Sequence, residues 1–290
     1  MTQEAPTHAA DLEAAWSERV RANREQAERL RETITGDFYA PVSSLFMADP
    51  WRTDEPVLDV LQALATREST WLDIGAGAGR YALPLALRVR QVIAVEPSAG
   101  MRRALRTGID EHGIENVRVV PGAWPEVLGE LGPLPAVDVA FIAHVGYDIE
   151  AIGPFLDAME AAAGERCVAV LTDYSPAAVA DPFWPLVHGE PRVALPALPD
   201  LVALLGARGR QTEVVRVGRS TRAFDSVDAL AAFLRRQLFI AEGGEKDLHF
   251  RAILPDLIVR RDGAWTLAQG PAGSAGVVTW PVTRAADLRG

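Results

Sequence analysis

The residues best suited to chemistry lie between Trp71 and Arg80. There an apolar run reaches Asp73 and is followed by glycines at alternate positions, Gly75, Gly77 and Gly79, with Ala76 and Ala78 between them. Glycine lacks a Cβ, so its backbone can take positive φ and let another group approach to van der Waals distance. The next residues, 81–87, read as a helix, whose first turn offers unpaired N–H groups to an anion or a polar ligand. Seventeen residues past Gly79 a second apolar run, 90–95, ends in Glu96. A carboxylate at that strand tip can accept hydrogen bonds from the two hydroxyls of a ribose. Each feature also has a plainer reading: a glycine-alanine turn serves close helix-to-strand packing, and a strand-ending acid serves as a charge at a helix N-terminus. The glycine spacing separates ligand classes. Dinucleotide-binding turns want G-x-G-x-x-G, whereas here Arg80 stands where the third glycine belongs.

In this stretch, Asp73-Ile74-Gly75-Ala76-Gly77-Ala78-Gly79, the chain resembles the class I S-adenosylmethionine-dependent methyltransferases, whose first motif is an apolar run followed by (D/E)-x-G-x-G-x-G. Pro97-Ser98-Ala99-Gly100-Met101 is similar to the family's second motif, with Ser98 placed to cap the following helix. The resemblance implies S-adenosylmethionine as cofactor. It implies binding by Asp73, Gly75, Ala76, Gly77, Gly79, Glu96, Pro97 and Met101 and by Gly122 and Ala123 at the end of the third strand, while Trp124 beside them, and Ala143 and His144 at the tip of the fourth strand, are candidates from their place at the crevice. One position departs from the pattern: where the family usually carries an acid after the glycine to receive the adenine amino group, this chain has Ala123. Gly122 and Ala123 are therefore expected to act through their backbone. Trp124 either covers the adenine face or belongs to the core.

These residues need a scaffold, and the order of elements supplies one. Strands are expected at 71–74, 90–96, 117–120, 136–142, 166–172 and 212–217, alternating with helices at 81–87, 99–112, 149–163 and 198–207. Such βα alternation implies a mainly parallel sheet with right-handed crossovers. The resemblance makes it a doubly wound, Rossmann-like sheet of seven strands, closed by an antiparallel strand at about 276–282. Residues 1–66 are expected to form an N-terminal helical cap and residues 67–290 the methyltransferase domain. Within the cap, Leu12, Trp16, Val20, Ala27, Leu30 and Ile34 form one apolar stripe, and Phe38, Tyr39, Phe46 and Trp51 are pocket candidates. Leu230, Phe233, Leu234 and Leu238 mark the first helix of an inserted α-hairpin at about 222–262. Residues 174–196, rich in proline and carrying Phe183, Trp184 and His188, read either as a lid or as an irregular segment packed on the helical cap.

Methyl transfer is displacement at a carbon the sulfonium already activates, so the protein chiefly binds and aligns. Where a hydroxyl or a protonated amine is the acceptor, a base assists by roughly 10²- to 10⁴-fold. His144, at the tip of the fourth strand beside the crevice of a doubly wound sheet, is the first candidate; Tyr147, Asp148, Tyr174 and His188 follow. The chain of 290 residues has a formal net charge of −10, which opposes a nucleic-acid surface. Lys246 is its only lysine and Cys167 its only cysteine. No cysteine-based metal site follows, and no metal is expected. The N-terminus carries no apolar leader segment. The uncharged run 263–283 is interrupted too often by Gly, Pro, Gln, Ser and Thr to span a membrane. The expectation is a cytoplasmic monomer or homodimer, free of membrane and nucleic acid, acting on a small, partly apolar acceptor. The acceptor should lie in a pocket of roughly 300 to 1,000 Å³ bordered by His144 and Tyr174. The competing readings are a non-catalytic S-adenosylmethionine-binding protein, an RNA methyltransferase, and an NAD(P)-dependent oxidoreductase. The last is disfavoured because the lysine of a Tyr-x-x-x-Lys pair is missing: Lys246 follows Glu242, not a tyrosine.

Overall fold

The computed structural model describes residues 4–32, 43, 46–131, 137–218, 222–269 and 273–282. The pocket candidates Phe38 and Tyr39 lie outside the described residues.

Thr70–Ile74 (β1) is buried on both faces, as expected of a central parallel strand. It pairs in parallel with Gln91–Glu96 (β2) on one side and Val137–Ala143 (β4) on the other. Val117–Pro121 (β3) and Ala163–Thr172 (β5) extend the parallel set outward. Glu213–Gly218 (β6) does not pair with β5. The last strand, Ser274–Pro281 (β9), runs antiparallel between them, giving the order β3-β2-β1-β4-β5-β9-β6. The sheet is thus the doubly wound, seven-stranded one the sequence implied, including the late antiparallel strand.

Alternation along the strands sends side chains to two helical layers. Leu72 and Ile74 of β1 join one core with Phe155 and Met159 of Ile152–Ala162 (α6) and Leu201 and Leu204 of Leu198–Ala207 (α8). Trp71 and Phe141 join the other with Leu58 and Leu61 of Pro56–Leu64 (α2), Leu83 of Ala82–Ala86 (α3) and Leu105 of Ala99–His112 (α4). The long first helix, Glu4–Leu30 (α1), lies along the first of these layers. Trp16 and Val20 are buried in that core, and Trp16 Nε1 donates to the Ile149 carbonyl at 3.0 Å. Its far end meets the inserted unit, where the Glu32 N–H donates to the Phe239 carbonyl.

The insertion between β6 and β9 contains the two expected helices, Val227–Gln237 (α9) and Glu245–Leu257 (α10). It also contains a hairpin that was not expected, Ile258–Arg261 (β7) paired with Ala264–Leu267 (β8). The second helix therefore ends at Leu257, where the first strand of that hairpin takes over. The reason is local: Asp262 and Gly263 both take positive φ, 49° and 84°, as a two-residue hairpin turn of the Asp-Gly type requires. Residues 174–196 are not an open flap. Phe183, Trp184 and Val187 share a buried cluster with Leu230, Leu234, Phe250 and Leu254 of the insertion, which is the packed-segment reading. No helix among the described residues is long and apolar enough to cross a membrane.

Candidate active site

The C-terminal ends of β1 to β4 bring Asp73, Gly75 to Gly79, Glu96, Gly122, Ala143 and His144 to one edge of the sheet. β1 and β4 are neighbours whose connections leave in opposite directions, which opens a crevice between their tips.

The three glycines of the turn have different duties. All take positive φ: 77° at Gly75, 57° at Gly77 and 87° at Gly79. A Cβ on Gly75 would lie 2.5 Å from Val145 Cγ2, and one on Gly79 would lie 2.5 Å from Leu105 Cδ1 and 2.9 Å from Leu83 Cγ. Both are packing glycines. A Cβ on Gly77 would meet nothing within 4 Å, so Gly77 alone faces open space from which a ligand can approach the backbone.

Glu96 is buried at the end of β2, and its two oxygens are each held by a backbone donor. Oε2 accepts from the Gly77 N–H at 2.8 Å and Oε1 from the Ser98 N–H at 2.7 Å. A carboxylate oxygen has two acceptor directions, so these two donors orient the carboxylate at the strand tip without using its full accepting capacity. Arg102 fixes the same corner by donating to the Glu96 and Pro97 carbonyls. Ser98 caps α4 as expected, accepting from the Met101 N–H. Met101 is buried with Ala78 and Ala104, and Phe46 of the N-terminal segment packs on them.

Asp73 is 2% exposed. Burial, reinforced by the charge of Glu96, pushes its carboxyl up to about 8. Among the described residues no cation lies beside it to offset these effects. The site therefore favours a ligand that brings its own positive charge, and S-adenosylmethionine, with an ammonium and a sulfonium, fits that demand. The ribose-type carboxylate and the open backbone at Gly77 fit the rest of it.

At the third strand end, Gly122 has φ 145°, and a Cβ there would lie 2.7 Å from Val127 Cγ2. Ala123 is exposed. Trp124 is 6% exposed and packs in the main core with Val120 and Val127, its buried indole N–H making no hydrogen bond among the described residues. At the fourth, His144 follows Ala143 with φ 57°. Its N–H completes the ladder to the Val170 carbonyl at 2.8 Å, and its ring centroid lies 6.4 Å from that of Tyr81.

The other candidates separate. Asp148 and Tyr174 are exposed. Tyr147 is buried, with its hydroxyl bonded to Thr172. His188 lies away from the crevice, its Nε2 bonded to the Leu238 carbonyl at 2.9 Å and its ring centroid 4.4 Å from that of Trp184. Burial lowers the His188 pKa. Sequence reasoning missed the cluster behind the glycine turn. Glu55 accepts from Tyr81 Oη at 2.8 Å and Arg52 Nε at 2.6 Å, and Arg80 lies at 2.9 Å. Burial works to raise Glu55, but the hydrogen bonds from Arg52 and Tyr81 and the two guanidinium charges outweigh it and leave the carboxyl below its usual range. Nothing in the sequence signals this, because Glu55 before Pro56 reads only as the start of a helix. A cavity of about 340 Å³ lies at the opposite edge of the sheet, lined by Arg166, Thr212, Thr279 and Trp280 among others, far from the glycine turn.

Residues 72–162 match the family model described as a methyltransferase domain. Over 59 residues the chain is 42% identical to a tRNA/tmRNA (uracil-C(5))-methyltransferase of Pseudomonas putida, covering 20% of this chain and 16% of that protein. It is 34% identical over 86 residues to the enzyme of the same name from Azotobacter vinelandii, covering 29% and 24%. The matched stretches thus span about a quarter or less of the length of these curated relatives. Among solved structures, the YcgJ protein from Bacillus subtilis superimposes with a TM-score of 0.52 at 17% identity, over 79% of this chain and 98% of that one. The part of the chain that matches the methyltransferase domain model, residues 72–162, is the part that carries the glycine turn, Glu96 and His144.

Proposed function

We propose that this protein is an S-adenosylmethionine-dependent methyltransferase that transfers the cofactor's methyl group directly to oxygen or nitrogen of a small, partly apolar acceptor enclosed between the crevice edge of the sheet and the unit built upon it. The observation that carries this reading is the common core of residues 174–196 and the insertion. Both leave the sheet at the edge where β1 to β4 end, after β5 and β6 respectively. An enclosed site suits methyl transfer, because excluding water tightens alignment and strengthens local electrostatics. The net charge of −10 supports a small acceptor over a polyanion.

In this reading Glu96 would hold the ribose hydroxyls, the open backbone at Gly77 would meet the methionine portion, Asp73 would offer a carboxylate to the cofactor's positive charge, and Gly122, Ala123 and Trp124 would border the adenine. The cofactor supplies the activated methyl carbon. His144 receives the acceptor's proton as the new bond to carbon forms. The enzyme works as a monomer or homodimer in the cytoplasm.

The rival acceptor is RNA, favoured by the similarity to tRNA methyltransferases. Incubation with methyl-labelled S-adenosylmethionine and a panel of small phenols, amines and carboxylic acids, beside total tRNA, separates the two. Label in a small acceptor supports the proposal, whereas label in tRNA alone overturns it and leaves the methyltransferase assignment standing.

A further inference from the structure

In a parallel ladder the residue after a bonded carbonyl's neighbour returns the bond. Because the His144 N–H donates to the Val170 carbonyl, continuation of β4 would have the Thr172 N–H donate to the His144 carbonyl. The chain does otherwise. At His144 the backbone turns left-handed, φ 57°, a conformation that is strained for a non-glycine residue and persists only where its surroundings hold it. The pairing of β4 with β5 ends at Ala143 and Val170. The Thr172 N–H is instead taken by the hydroxyl of Tyr147, at 2.7 Å.

The protons in this corner can be assigned. Thr172 Oγ1 donates to the Tyr174 carbonyl, which can only accept. Its one proton is thereby used, so the 2.9 Å contact between Tyr147 Oη and Thr172 Oγ1 carries the tyrosine proton. The order is Thr172 N–H to Tyr147, Tyr147 to Thr172 Oγ1, and Thr172 to the Tyr174 carbonyl. Tyr147 and Thr172 are 4% and 2% exposed, so water does not readily replace either. A second anchor acts on the same loop from the other side, where Val145 fills the space left by the absent Cβ of Gly75.

We infer that Tyr147 is a positioning residue: its hydroxyl stands in for the missing rung of the ladder, holds the loop 144–147 in the turn that presents His144 to the crevice, and ties that loop to the point where residues 174–196 leave the sheet. One side chain thus sets two walls of the acceptor space, the His144 wall and the Tyr174 wall. The inference rests on the reading that His144 faces the acceptor, but its test needs no acceptor.

The test compares wild type with Tyr147→Phe, which keeps the ring and removes the hydroxyl, and with Leu61→Ala as a variant in the core of the other helical layer. The imidazole Cε1–H resonance of His144, assigned through His144→Gln, is followed by NMR over pH 5 to 9 with S-adenosylhomocysteine bound, and amide exchange is read across residues 144–148. In Tyr147→Phe, S-adenosylhomocysteine affinity should stay within about 3-fold of wild type, exchange at 144–148 should rise at least about 10-fold, and the His144 titration curve should shift or broaden. Leu61→Ala should leave the His144 curve in place. An unchanged His144 resonance and unchanged loop exchange in a folded Tyr147→Phe would overturn the inference without touching the choice of acceptor. A tRNA-only result in the labelling assay would overturn the acceptor reading without touching the hook.

Discussion

Around the glycine turn the decisive contacts are short in sequence and made by backbone: the Gly77 N–H meets Glu96 at a separation of 19 residues, and the Ser98 N–H meets it at a separation of 2. In the unit above the crevice the contacts are long and made by side chains. There His188 reaches Leu238, 50 residues away, and Phe183 stacks edge-on against Phe250. The first region presents groups any S-adenosylmethionine would need, and its geometry follows from strand, turn and helix cap. The second is a separate small core, in which composition is constrained and sequence is not. The comparison teaches that cofactor binding and acceptor choice are built from different materials, and that changes in one should leave the other nearly untouched.

The largest effect on cofactor affinity is expected from Gly77→Val. Its Cβ meets no protein atom, so the fold should survive at the modest cost of a left-handed non-glycine residue, about 1 to 2 kcal/mol, while the added methyls occupy ligand space. Calorimetric titration should show S-adenosylmethionine affinity falling at least about 100-fold, equal to about 2.7 kcal/mol. Gly79→Val sharpens the contrast, because its side chain collides with Leu83 and Leu105. Overpacking of this kind costs about 1 to 3 kcal/mol and should appear in the melting temperature. A Gly77→Val protein that binds as wild type would mean that the ligand approaches elsewhere.

Next comes Glu96→Ala, which should weaken binding by about 1.5 to 3 kcal/mol, the range for hydrogen bonds to a charged group. Because Glu96 also receives the Gly77 and Ser98 N–H groups, Glu96→Gln should show an intermediate loss. Equal affinities across the three proteins would show that the ribose is held by other groups.

Asp73 gives a smaller, pH-dependent effect. Its carboxyl is raised from 3.8 to about 8 in the folded protein, so between those values the folded state binds a proton that the unfolded state has lost. Stability of the free protein should therefore fall as pH rises from about 4 to 8 through this group. Asp73→Asn removes that slope and should be more stable than wild type at pH 8 by about 1 to 3 kcal/mol, measured by urea unfolding at pH 5 and pH 8. Parallel pH profiles for the two proteins would contradict the assignment of a buried, protonated acid.

The smallest effect on cofactor affinity is expected in the other region. Trp184 is 1% exposed in the upper core, and Trp184→Ala should cost that unit about 3 to 5 kcal/mol. Distant sites behave independently, so S-adenosylmethionine affinity should stay within about 2-fold of wild type. A loss comparable to that of Glu96→Ala would show that the two regions are coupled and would break the division drawn above.

The same division explains what could be read in the sequence. Asp73, the alternate glycines, Glu96 and the Ser98 cap were legible because each is fixed by neighbours within a turn or two, and the mainly parallel sheet followed from βα alternation. The hairpin of β7 and β8 was also legible in principle, since Asp262-Gly263 between β-branched and aromatic residues is a turn signal. It was obscured by the helical pattern running into it. The different duties of Gly75, Gly77 and Gly79 were not legible, since they depend on Val145 and Leu105, which reach the turn from other elements. Nor was the Glu55 cluster, which joins α2 to Tyr81 across 26 residues. His188 and Tyr147 looked alike as loop residues after strands, and only packing sends one into the upper core and the other into the hook at Thr172.

The most direct test of the account is hydrogen exchange of the intact protein with and without S-adenosylhomocysteine. The account predicts slowed exchange at Gly77, across 96–101 and at 122–124 and 143–144, with residues 222–269 nearly unchanged. Protection absent from Gly77 and Glu96, and found instead around Arg166, Thr212 and Thr279 at the far edge, would contradict it.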